Sequence, residues 1–450
     1  MAKSEKAYMQ RGLREFAAQS YVSVAPARQI SKISKPVTYL TLRSLKFRAI
    51  ARPCQRAGLT ICSIFYPEKV LNKKVFAAAT LAVFASAAHA QSSVTLYGLI
   101  DAGFTYSNHA NAQAQHLYQY GDGVAQGSRW GLRGTEDLGG GLKALFVLEN
   151  GFNSGTGALG QGSSLFGRQA YVGLSQNGIG SLTFGRQYSF STDYLGGLYT
   201  NGGQTVAGNY GYHINDIDQL TSSRISNAVK FSSANFAGLT FGAMYGFSNQ
   251  AGAFAGAPGT GGSSSAYSFG VNYANGPFGI GAAYTDIRYP GSASPTTFST
   301  TLANSSISGV AKDLATVGVG AKYSIGAATA YALWTHTNIE QIAGHMTTFN
   351  AYEVGGKYAF TPAITGALGY TYMQAKDQTN GHWNQFDASA DYALSKRTDV
   401  YVLGVYQQAK GTNSKGAALQ AQIGSSASSF LPAAGANTQL ALRVGIRHKF

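Results

Sequence analysis

Thiols are nearly missing from this chain. Its 450 residues hold two cysteines, Cys54 and Cys62, both within the first 70 positions. The long remainder can therefore have neither a disulfide framework nor a thiolate-held metal. Prolines number 10, and Asp, Glu, Lys and Arg together make up only 12% of the residues. Acidic residues are the scarcer sign, with 34 Lys+Arg against 19 Asp+Glu. That excess is local: residues 1–90 carry 15 basic and 3 acidic side chains, whereas residues 91–450 carry 19 and 16. The high overall charge thus does not argue for a nucleic-acid partner, and no basic run is interleaved with aromatics in the way a nucleic-acid groove requires. What the chain does have in quantity is Gly, Tyr, Phe, Ala, Ser and Thr. Such a composition is odd for a soluble enzyme and suits a surface that meets lipid.

The stretch LNKKVFAAATLAVFASAAHA at residues 71–90 has the parts of an export signal. Lys73 and Lys74 form the positive end, Val75 to Ala85 an apolar core, and Ala88-His89-Ala90 a small-x-small cleavage pattern. The apolar run is too short for a transmembrane helix, which needs about 20 residues. Cleavage is expected between Ala90 and Gln91. Such signals are read at an N-terminus, so residues 1–70 are expected to be a non-native upstream extension, with Leu71 as the true start. The rival reading is a real cytoplasmic extension tolerated during export.

From Ser93 onward apolar residues recur at every second position, the period of a strand. In VTLYGLIDAGFTY one parity reads Val94, Leu96, Gly98, Ile100, Ala102, Phe104 and Tyr106. Sixteen such segments are predicted, the first at 93–107, the second at 126–136 and the last at 438–450. Short turns follow every even segment, and mostly longer loops follow every odd one. A hairpin meander with turns at one end and loops at the other predicts an all-β fold, a transmembrane antiparallel up-and-down barrel of 16 strands. In hydrocarbon such a sheet must close, because an open edge would leave backbone groups unpaired. Aromatics near strand ends, among them Tyr97, Tyr106, Trp130, Tyr245, Tyr273, Tyr358 and Phe360, read as interfacial girdles.

Catalytic and metal chemistry find little support. His109, His116, His213, His336, His345, His382 and His448 lack metal-ligand spacing and read as solvated, mostly loop, residues. No cofactor and no metal are expected. No G-x-S-x-G follows residue 90, so a serine-hydrolase elbow is missing. Two rival functions remain: a structural or adhesive barrel, and an outer-membrane hydrolase. A sixteen-strand count favours a channel, since eight strands leave a filled interior and sixteen an aqueous lumen.

Residues 91–450 resemble the trimeric general porins of Gram-negative outer membranes, of the Neisseria, Bordetella and Burkholderia type. The resemblance is carried by SSVTLYGLIDAG at Ser92, SRWGLRGTEDLGGGLKALFVLENGF at Ser128, GRQAYVGLSQNGIGSLTFGRQYS at Gly167 and the ending LRVGIRHKF. It implies a homotrimer in outer-membrane lipid, passive diffusion of small hydrophilic solutes and ions, and a pore narrowed by the third long loop, 189–222. It also implies that Phe450 is an assembly signal, read by the barrel-assembly machinery through the last strand.

Parity assigns charge to the lumen, because a charge on the lipid face costs about 2–4 kcal/mol at midplane. Arg129, Arg133, Lys143, Arg168, Arg224, Lys230, Lys322, Lys357, Arg443 and Arg447 are placed there. Asp101, Glu149, Glu353, Asp387, Asp391 and Asp399 share that face, and the loop adds Asp193, Asp216 and Asp218. Arg129, Arg133, Lys143, Arg168, Lys230 and Arg443, with the three loop aspartates, are the constriction candidates. The expected ion preference is weak, leaning to anions if the aspartates pair with the wall arginines. Arg186 has the apolar parity of Leu182 and Phe184, so either the alternation breaks there or it stands at the rim.

Overall fold

The computed structural model describes residues 93–221, 223–258, 263–290, 311–413, 415–424 and 431–450. The export-signal segment, Ala90, Gln91 and the upstream residues lie outside them. The first eight strands are β1 (Ser93–Ser107), β2 (Leu117–Asp122), β3 (Arg129–Gly139), β4 (Leu142–Gly151), β5 (Gln169–Gln176), β6 (Gly180–Tyr188), β7 (Arg224–Ser233) and β8 (Leu239–Gly246). They continue with β9 (Ser265–Asn275), β10 (Phe278–Arg288), β11 (Ala311–Ile325), β12 (Ala328–Gln341) and β13 (Met346–Ala359). The last four are β14 (Ile364–Asp377), β15 (Thr379–Ala393), β16 (Thr398–Asn413) and β17 (Thr438–Lys449).

Seventeen strands form one antiparallel sheet, yet they occupy sixteen positions around the barrel. β3 pairs with the first half of β1, from Ser93↔Thr135 to Leu99↔Arg129, and β2 pairs with the second half, from Ala102↔Asp122 to Ser107↔Leu117. Together they make one interrupted strand. The predicted second strand at 126–136 therefore holds only half of that position, and six residues expected in a loop belong to the wall. Among the described residues no helix is long and apolar enough to cross a membrane; the crossing is made by strands.

The sheet closes where β17 meets β1, from Leu99↔Lys449 to Ser107↔Ala441. Phe450 completes the seam: its N–H donates to the Gly98 carbonyl at 3.0 Å, and the Gly98 N–H donates back at 3.1 Å. On the opposite rim, β12–β13 and β14–β15 are joined by four residues and one residue instead of long loops. Strands β11 to β16 run to 14–16 residues, so the wall itself takes up chain expected to be loop.

Alternation sorts the two faces. Val94, Leu96, Phe104, Val172, Leu368, Val402 and Val444 are exposed on the outside, where an apolar band is what lipid selects. Asp101, Thr105, Glu149, Glu353, Asp387 and Arg443 are buried on the inside. Tyr97 departs from the girdle expectation, for its hydroxyl donates to Glu149 at 3.0 Å on the inner face.

Candidate functional site

The segment between β6 and β7 is the longest connection among the described residues and runs along the inner wall through several short helical turns. Its apolar side chains explain why it turns inward. Phe190, Leu195, Tyr199 and Leu220 pack with Met244, Ala283, Ile287 and Leu333 of the wall. Ile214 and Ile217 pack with Leu314, Ile339, Phe349 and Trp383, and Ala207 and Tyr210 with Leu403, Val405 and Ala441. A fully buried aromatic or aliphatic side chain contributes roughly 1.5–3 kcal/mol, so a series of them, with the loop's hydrogen bonds to the wall, offsets the entropy of ordering a long loop. The loop thereby covers the inner face from β7 round to β17 and reaches Thr105 of β1.

Its start is fixed by a break in the strand pattern. The β6–β7 register shifts between Gly185 and Gln187, and Gly185 has φ +134°. Such a bulge bends the strand and re-aims the side chains beyond it. Arg186 consequently leaves the apolar parity and donates to the Gly167 carbonyl at 2.8 Å and the Ser226 hydroxyl at 2.7 Å.

The wall that the loop leaves uncovered carries four of the six basic candidates. Arg129 and Arg168 flank Glu149 at 3.7 and 2.7 Å. Arg133 is exposed, its guanidinium 5.1 Å over the Tyr97 ring. Lys143 stands near the short-turn end, opposite Asp137 in the register. Arg168 has the parity of Ala170, but β5 begins only at Gln169, so backbone alternation does not bind it and its side chain reaches Glu149.

The other candidates are braces. Lys230 donates to the Tyr188 carbonyl at 2.8 Å and to Asp193 at 2.5 Å, and lies 4.6 Å over the Phe190 ring. Arg443 has no exposed side-chain surface; it donates to Tyr401 at 2.9 Å and Thr105 at 3.1 Å, with Asp101 at 3.7 Å. Both face inward yet are closed off from the open lumen. Asp216 and Asp218 are each 1% exposed and so do not line the passage. The Asp216 carboxylate accepts the backbone N–H and the hydroxyl of Thr221, at 2.9 and 2.8 Å. Of the three aspartates only Asp193 keeps substantial exposure, 37% of its side chain.

His213 is not a solvated residue but a buried one held at both ring nitrogens. Its Nδ1 is 2.5 Å from Asp218 and its Nε2 is 2.9 Å from Glu353 of β13, with the ring fully buried. Asp218 also accepts from Thr335 of β12 at 2.7 Å. Burial by itself disfavours the charged ring, but the two carboxylates outweigh it and hold the imidazole well above its ordinary value. Among the described residues no group of three or more His, Cys, Asp or Glu side chains is placed to hold a metal.

This geometry has counterparts. A family model described as Gram-negative porin matches residues 77–413. An outer membrane porin protein of Bordetella pertussis is 33% identical over 375 residues, covering 75% of this chain and 94% of that protein. Outer membrane porin protein 32 of Delftia acidovorans is 31% identical over 406 residues, covering 84% of this chain and all of that one. Among solved structures, an anion-selective porin from Comamonas acidovorans superposes with a TM-score of 0.63 at 24% identity, over 80% of this chain and 100% of that chain.

Proposed function

The chain belongs to the Gram-negative porin family, an outer-membrane β-barrel channel for passive diffusion, and we propose that its lumen favours small hydrophilic anions. The observation that carries this reading is the position of Arg129, Arg133, Lys143 and Arg168. They lie on the stretch of wall that the inward loop does not cover, where Glu149 sits between Arg129 and Arg168 and Asp137 stands opposite Lys143. Charges facing the water of the passage act on ions within the screening length, about 8–10 Å at ordinary salt, whereas the inward charges behind the loop are taken up by partners in the packed protein. Buried Asp218 and Glu353 share His213, the buried Asp216 carboxylate is held by Thr221, and Asp193 pairs with Lys230, so the loop contributes little negative field to the passage. The solved anion-selective porin shares this fold, which accommodates such a preference.

The working unit is a homotrimer, exported after cleavage at Gln91 and inserted through its last strand. The channel acts by sieving and by the field of its wall, with no catalytic step. Conductance in planar bilayers tests this: discrete steps in groups of three are expected, while an inserted but silent protein would support a structural barrel instead. Arg133→Glu together with Lys143→Glu should move the preference toward cations.

A further inference from the structure

Six glycines on the inner wall stand in three pairs directly across neighbouring strands: Gly242↔Gly270, Gly281↔Gly320 and Gly355↔Gly369. None of the six has a positive φ, so no backbone conformation demands glycine at these places. Glycine weakens a strand, and where it persists it often marks the close approach of another group. Each pair is met by a side chain of the inward loop, with Tyr194 joining Phe190 at Gly270. Phe190 lies against Gly242 and Gly270, Tyr199 against Gly281 and Gly320, and Asn201 against Gly355 and Gly369. A methyl group added at Gly270 would stand 2.7 Å from the Phe190 Cβ, and one at Gly320 would stand 2.5 Å from the Tyr199 Cβ. At Gly355 or Gly369 it would overlap the Asn201 amide.

Beside each notch the same loop residue has a polar tie to the wall. The Phe190 N–H donates to the Ser268 hydroxyl at 2.9 Å, and the Tyr199 hydroxyl donates to Asn272 at 2.5 Å. Asn201 donates its backbone N–H to Glu353 and its side-chain amide to Asp387 at 3.4 Å. Opposite residues of an antiparallel pair are about 4.5–5.5 Å apart, so two facing glycines leave a recess about one side chain wide. Apolar packing alone would let a loop slide; a recess with an adjacent hydrogen bond permits one register.

We propose that these glycine pairs are sockets that set how far the third loop projects into the lumen, with Asn201 as a positioning residue for the size limit of the channel. The inference rests on the diffusion-channel reading and is independent of the sign of ion preference. Filling a socket should push the loop toward the open wall and narrow the passage.

The test uses full-length trimer reconstituted in liposomes and planar bilayers, with neutral sugars of increasing size as permeants. Gly369→Ala should lower single-channel conductance and slow swelling in the larger sugars. Adding Asn201→Ala to it should restore both, because the side chain that clashes is removed. A folded Gly369→Ala trimer with wild-type conductance and sugar permeation would overturn the proposal, as would a double variant no better than the single. If Gly369→Ala yields no folded trimer, Asn201→Ala alone decides. Loss of the key should admit larger sugars, and an unchanged size limit would sink the idea. Neutral permeants keep this outcome separate from anion preference, which reversal potentials read independently.

Discussion

The imidazole Nε2 of His213 and the carboxylate of Glu353 meet 2.9 Å apart, and neither side chain has any solvent exposure. They are 140 positions apart in the chain, and their contact ties the middle of the inward loop to β13. Because Asp218 holds the other ring nitrogen, the charged imidazole balances two buried carboxylates. Removing one partner of a buried ion pair costs about 3–5 kcal/mol. His213→Ala should therefore lower the temperature at which the trimer loses its compact electrophoretic form. Open-channel current noise should rise as the loop loosens. A variant as stable and as quiet as wild type would show that the latch is unimportant.

The same pair sets a pH dependence. The His213 value is raised in the folded protein, against about 6.5 for an unperturbed histidine. Its contribution is therefore complete below about pH 6.5 and is lost as pH rises through the raised value. Channel noise and thermal lability should increase on the alkaline side in wild type. In His213→Gln, whose neutral amide cannot lose a proton, that increment should be absent. An identical alkaline profile in the two proteins would assign the effect to other groups.

The loop aspartates should separate. Asp193→Asn removes a partly exposed carboxylate, leaving the charge of buried Lys230 uncompensated, and is expected to shift reversal potential further toward anions. Asp218→Asn removes a partner of His213 and Thr335, so its effect should fall on stability and noise first. Equal shifts in reversal potential from both variants would mean that Asp218 faces the passage after all.

Barrel closure depends on the last residue. Phe450 exchanges two backbone hydrogen bonds with Gly98, and its ring covers the outer face of that glycine. Deleting Phe450 should strongly reduce outer-membrane trimer while synthesis and export continue. Unchanged amounts of heat-modifiable trimer would refute the seam's importance. Protein recovered from outer membranes should also have the intact mass of a chain beginning at Gln91, and peptides from residues 1–70 in that material would contradict the proposed cleavage.

Much of the wall can be read from sequence because lipid imposes a strict period. Val94, Leu96 and Phe104 reveal their face by parity alone, and the turns at one end are short enough to fix most strand ends. Half of the second position escapes such a reading because LYQYGD is a six-residue strand ended by a polar loop, although Tyr118 and Tyr120 on one face carry a faint alternating signal. Arg168 stands with the lumen residues although its parity matches Ala170, and it reaches Glu149 only because it precedes β5. The loop's interior is not legible. Nothing near His213 in sequence announces Glu353, and Gly355 and Gly369 look like ordinary strand glycines until Asn201 is seen between them. Lys230 and Arg443 carry inward parity like Arg133, yet parity cannot tell an open lumen from one filled by a loop.

The central claim is that cations on the uncovered wall set the selectivity of the passage. Its most direct test is the zero-current potential of wild-type trimers across a KCl gradient, measured at ordinary ionic strength. Arg129, Arg133, Lys143 and Arg168 predict a potential on the chloride side of zero, diminishing as salt is raised and screening shortens. A potential on the potassium side would contradict the account.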